Sequence, residues 1–116
     1  MHRFKELEIW KRSRFFCSKI YGITSKIPES EKFGLTNQLS RASISIPSNI
    51  AEGSSRKSNR DFSRFLEITL GSAYEIETQL LIASDLEFIP INDLNVLLSE
   101  LEEITKMINS LIKSMK

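Results

Sequence analysis

A chain of 116 residues has the length of one domain, residues 1–116, and enough material to bury a core, while 41% hydrophobic and 27% charged residues exclude a disordered or fibrous protein. Its uncharged apolar stretches fall far short of the ~20 residues that cross a bilayer, and the opening MHRFKELEIW holds no hydrophobic signal core, so a cytoplasmic protein without a membrane partner is expected. The balance of 16 basic against 15 acidic residues hides a polarity: residues 1–27 carry +5, residues 28–60 carry +2, and residues 61–116 carry −6.

The spacing predicts a first helix over about 5–26, with Leu7, Trp10, Cys17, Tyr21 and Thr24 on the buried face and Ile9, Phe16 and Ile23 in a second stripe beside them. Cys17, the sole cysteine, reads as a small apolar core residue, since nothing near it would activate a thiolate. Pro28 ends this helix, and residues 29–34 lead to a second helix over about 35–52 with Gly53 as its C-cap. Pro47 lies inside that helix, where it removes the hydrogen bond to Ser43 and is expected to kink the axis.

A third helix, about 60–87, follows from Phe62, Phe65, Thr69, Ala73, Ile76, Leu80 and Ala83, with Ser58 and Asp61 as a capping pair at its start. Leu70, Tyr74 and Leu81 form a second apolar stripe, and Gly71 beside Ser72 and Ala73 reads as a point where two helix backbones approach. The fourth helix, about 92–115, carries Leu94, Leu97, Leu101, Ile104, Ile108, Leu111 and Met115 in alternating steps of three and four, capped by Asn92 or Asp93 after Pro90. Four helices with short connections predict an all-α, antiparallel up-and-down four-helix bundle. The double stripes on helices one and three predict self-association, with Phe16, Ile23, Leu70, Tyr74 and Leu81 as the interface residues.

QLSRASISIPSNIAEG at 38–53, followed by RDFSRFLEITLGSAYEIETQL at 60–80, resembles the family of ribosomal RNA intervening-sequence proteins. The opening FKELEIWKRS and the Pro-Glu-Ser-Glu-Lys-Phe-Gly-Leu connection are similar to that family's first helix and first loop, so the resemblance extends over essentially the whole chain. It implies a four-helix bundle in a ring-like, barrel-shaped homopentamer, encoded in insertions within large-subunit ribosomal RNA genes or elsewhere in bacterial genomes. A related branch contains the accessory variability protein of diversity-generating retroelements, a basic pentamer that binds nucleic acid and the reverse transcriptase. This chain departs from that branch in being nearly neutral overall.

Within the motif, Gln38, Arg41, Ser45, Asn49 and Glu52 share one helical face, and Arg64, Ser72, Glu75 and Gln79 of the third helix stand opposite. The expected arrangement is a buried, satisfied network that fixes helix register, with Arg41 paired to Glu75 and Asn49 bridging groups freed at Pro47. A catalytic reading of Arg41, Asn49 and Glu52 lacks an activated nucleophile, and the one histidine, His2, stands at the terminus. No metal-ligand spacing, phosphate-cradling glycine loop or nucleophile elbow occurs, so neither enzyme activity, a metal nor a cofactor is expected.

Lys5, Arg12, Lys19 and Lys26 recur every seven residues on the outward side of helix one, and Arg56, Lys57 and Arg60 cluster before helix three. Such cations suit phosphate contacts without base specificity, which makes RNA or DNA the expected partner. The alternatives are a solvated face that complements the acidic helices, or a scaffold that recognises a protein partner through the assembled ring.

Overall fold

The computed structural model describes residues 3–116, so His2 lies outside the described residues. It contains four helices, α1 Glu8–Thr24, α2 Leu35–Ser54, α3 Asn59–Asp85 and α4 Ile91–Ser114, with short 3-10 turns at Phe4–Glu6 and Glu29–Glu31 and no strand among the described residues. The helices pack as a bundle 43 Å long and 24 by 20 Å across, in which α1 touches α2 and α4, and α3 touches α2 and α4. Among the described residues no helix is long and apolar enough to cross a membrane.

The central buried layer is isoleucine-rich. Ile20, Leu39, Ile46, Ile50, Leu66, Ile76, Leu80 and Ile108 are wholly buried, with Phe16, Phe62 and Ile104 at 1% exposure. Each such side chain contributes roughly 1.5–3 kcal/mol relative to exposure, enough for the amphipathic faces to dictate packing. On α4 the expected stripe from Leu94 to Ile108 is buried, joined by Ile112, while Leu111 and Met115 pack half-buried against the core.

On α1 the buried face is Ile9, Ser13, Phe16, Ile20, Ile23 and Thr24, not the stripe centred on Cys17 and Tyr21. Because α1 sits between α2 and α4, its contact arc is wide and the bulky Ile/Phe stripe takes the centre. Tyr21 is thereby exposed, and Cys17 is half-buried with its Sγ 3.5 Å from Ser43 Oγ.

Gly53 and Gly71 both differ from expectation. Gly53 lies inside α2, where a Cβ would come within 2.6 Å of Phe65 Cβ, whereas nothing approaches within 4 Å of the Cβ position at Gly71. The close approach of backbones is therefore at Gly53, and α2 continues to Ser54 instead of stopping at the glycine.

Ser58 caps α3 by accepting from the Asp61 amide at 3.1 Å, as the sequence indicates. Pro90, and neither Asn92 nor Asp93, occupies the cap position of α4, because the extended backbone at Pro90 delivers the chain directly into the helix at Ile91. Between them, α3 closes on Glu87, which adopts φ 61°, with the Phe88 amide on Ala83 O at 2.9 Å and the Glu87 amide on Ser84 O at 2.9 Å. This pair of bonds normally closes around glycine, and a residue with a Cβ is strained there by roughly 1 kcal/mol. Glu87→Gly is expected to raise unfolding stability by about 1 kcal/mol, read as a higher denaturant midpoint at unchanged slope.

Candidate functional site

The polar stripe of α2 faces a cleft against α3. Gln38, Arg41, Ala42 and Ser45 form one wall and Ser72, Glu75 and Gln79 the other, around a volume of about 320 Å³. Helical spacing on each side places these groups in register: steps of three and four on α2 meet the steps of three and four from Ser72 to Gln79. Ser45 Oγ and Ser72 Oγ are hydrogen-bonded to each other at 2.5 Å and Gln79 Nε2 donates to Gln38 Oε1 at 3.3 Å across the seam.

The expected network is only partly assembled. Gln38, Arg41, Glu52 and Glu75 are exposed, and Ser45 and Asn49 are half-buried, so the stripe edges a surface cleft rather than filling the interior. The reason is that α2 and α3 spend their shared buried arc on Ile46, Ile50, Leu66, Ala73 and Ile76, leaving the polar face on its rim. Arg41 makes no ion pair with Glu75; Glu52 pairs instead with Arg56 on its own helix, at 3.2 Å. Asn49 Nδ2 donates to Ser45 O at 2.8 Å, not to the Ser43 carbonyl that Pro47 frees. Arg64 pairs with Asp61 at 3.8 Å and does not line the cleft.

The interface residues divide as well. Phe16 at 1% and Ile23 at 6% exposure belong to the core of the chain itself and offer nothing to a partner, because the seven-residue stripe they share points into the bundle. Leu70 is half-buried against the core, while Tyr74 at 55% and Leu81 at 42% are open on α3.

The family model for 23S rRNA-intervening sequence proteins matches residues 5–110. The chain belongs to the 23S rRNA-intervening sequence protein family. A solved structure of a protein with unknown function from the S23 ribosomal protein family of Bacteroides thetaiotaomicron VPI-5482 is similar, with a TM-score of 0.84 and 28% identity over 90% of this chain and 98% of that one. No curated protein matches the chain.

In this member of the 23S rRNA-intervening sequence protein family, the basic residues do not form one outward ladder. Arg12 Nη1 donates to Met107 Sδ at 3.6 Å, Lys19 pairs with Glu100, and Lys26 pairs with Asp93 at 2.7 Å, so three rungs lie along the seam with α4 and two are neutralised there. Arg56 is engaged by Glu52 and stacks over the Phe65 ring at 4.8 Å. Lys5, Arg12, Lys57 and Arg60 make no ion pair, and all four are exposed.

These four cations, none in an ion pair, share one end of the bundle. Leu7, Glu8 and Ile9 at the start of α1 line a groove with Glu103, Lys106, Met107, Ser110 and Leu111 near the end of α4, and Gly53 at the end of α2 packs on Phe62 and Phe65 at the start of α3. Lys113 and Lys116 therefore join Lys5 and Arg12 at this end, a contribution that sequence order conceals because α4 is otherwise acidic. The opposite end carries Glu31, Asp85 and Glu87, none in an ion pair.

Proposed function

We propose that this protein is a non-enzymatic, oligomeric accessory protein of nucleic acid, acting in the cytoplasm and gripping phosphates with the basic end of an antiparallel up-and-down bundle. The observation that carries this reading is the gathering of unpaired Lys5, Arg12, Lys57 and Arg60 at one end, away from the acids that neutralise Lys19 and Lys26. Cations without an acidic partner retain their charge for phosphate, whereas paired ones must first be released. The antiparallel arrangement is supported by the descending order of α4 partners, Met107, Glu100 and Asp93, met along α1 by Arg12, Lys19 and Lys26.

Exposed Tyr74 and Leu81, with Ile68 and Ile82 on the same helix, support self-association, and membership of the family favours a pentameric ring. A ring repeats each basic end around its rim, so weak single contacts add by multivalency. Light scattering should give a mass near five times the 13.3 kDa of one chain; a monomer at micromolar concentration would remove both ring and rim.

A scaffold for a protein partner is the second reading, favoured by the same exposed apolar surface on α3. Fluorescence anisotropy with labelled RNA and DNA at low and high salt separates the two. Salt-sensitive binding supports the nucleic-acid reading, and failure to bind either at low salt overturns it.

A further inference from the structure

Opposite charges line the α2–α3 cleft without meeting. No Arg41 nitrogen lies within 4.0 Å of a Glu75 carboxylate oxygen, although both border the same 320 Å³ space. The gap leaves a guanidinium on the α2 wall and a carboxylate on the α3 wall, each able to take an oppositely charged group of a third party.

The second observation is independent of the charges. Gln79 is only 9% exposed, and its Oε1 is buried without a hydrogen-bond partner, whereas its Nε2 is held by exposed Gln38 at 3.3 Å. A buried amide oxygen left unpaired costs roughly 1–3 kcal/mol, a cost removed when a donor reaches it. Exchanging the amide's oxygen and nitrogen merely leaves the nitrogen unpaired in that position. Glu75 and Gln79 stand one turn apart on α3 and line the same cleft, so its α3 wall offers two acceptors, a carboxylate and the orphaned amide oxygen. The floor beside them is fixed, because Ser45 Oγ donates its one proton to Ala42 O at 2.8 Å and is held by the Ser72 hydroxyl, from which it accepts.

We infer that this cleft binds a small zwitterion of the free α-amino-acid type, with its ammonium between Glu75 and Gln79 Oε1 and its carboxylate on Arg41. The ammonium supplies the donor that Gln79 lacks once Gln38 swings aside, and the carboxylate accepts the forked donors of the guanidinium. A volume of about 320 Å³ is within the range of small-molecule sites and suffices for a single metabolite. The cleft lies on a different face from the basic end, and this inference does not depend on the nucleic-acid reading.

The 116-residue chain titrated calorimetrically with each common L-amino acid in turn, with succinate and putrescine as ligands of one sign only, tests it. At least one amino acid is expected to bind in the millimolar range or tighter and to shift the Gln38 and Gln79 side-chain amide resonances, while succinate and putrescine do neither. Arg41→Met and Glu75→Gln, both at exposed positions, should stay folded by circular dichroism and each weaken binding about tenfold. Absence of heat and of resonance shifts with every amino acid overturns the proposal. So does equal binding of succinate or putrescine, or movement of those resonances with protein concentration alone, which would mean that a second copy fills the cleft.

Discussion

Gly53→Ala should lower the stability of this protein by about 2 kcal/mol, a loss of roughly 5–10 °C in Tm, while Gly71→Ala raises it by about 1 kcal/mol. The chemistry of the two substitutions is identical, and both positions are helical, so intrinsic propensity favours alanine at each by about 1 kcal/mol. What differs is the space. At Gly53 the added methyl meets Phe65 Cβ at 2.6 Å and Phe62 Cδ1 at 2.9 Å. Phe65 Cβ is fixed to the α3 backbone and cannot rotate away, so α2 and α3 must separate just where Phe62 and Leu66 seal the core. At Gly71 nothing lies within 4 Å, and only the propensity gain remains. Thermal unfolding of both variants at one fixed protein concentration checks the pair; a stabilising Gly53→Ala would mean that the helices are not held at this approach.

The second large effect concerns nucleic acid. Replacing Lys5, Arg12, Lys57 and Arg60 together by glutamine is expected to abolish binding at physiological salt and to flatten the dependence of log K on log salt by about 3 for a single strand. Lys19→Gln with Lys26→Gln should leave affinity nearly unchanged, because Glu100 and Asp93 already neutralise those ammonium groups. Under a reading that treats all helix-one cations alike, the two sets would behave similarly. If the Lys19 and Lys26 variant loses binding and the fourfold variant keeps it, the phosphate path runs along the α1–α4 seam and the bundle end is not the interface.

The bundle was legible in the sequence where a helix has one clear apolar stripe. Along α4 the run from Leu94 to Ile108 leaves a single way to bury the helix, and the observed core follows it. Helix α1 has two stripes separated by a fraction of a turn, and periodicity alone does not choose between Cys17 with Tyr21 and Phe16 with Ile23. The choice is made by neighbours on both sides, α2 and α4, which lie far off in the chain. For the same reason Gly53 and Gly71 look alike as letters, and only the crossing of α2 over α3 tells which one needs to be glycine.

At the candidate sites, residue identity was readable and exposure was not. The face shared by Gln38, Arg41 and Ser45 follows from helical spacing, but whether it is interior or rim depends on how far the apolar arc of α3 reaches across. The charge polarity was visible as a basic first part and an acidic last part. Folding converts it into something different, since Lys113 and Lys116 at the end of acidic α4 return to the level of Lys5 and Arg12, while Asp93 and Glu100 descend beside Lys26 and Lys19.

The chain has a single tryptophan, and its surroundings give it a use beyond packing. Trp10 meets the Phe4 ring edge-on, with centroids 5.1 Å apart, and carries the Arg14 guanidinium 5.5 Å above its face. A cation over the indole and a half-buried setting at the same end as Arg12 make its emission sensitive to any polyanion that draws Arg14 away. The unlabelled protein therefore carries its own optical reporter, and a titration followed in the ultraviolet distinguishes a ligand arriving at this end from one that settles in the cleft between α2 and α3.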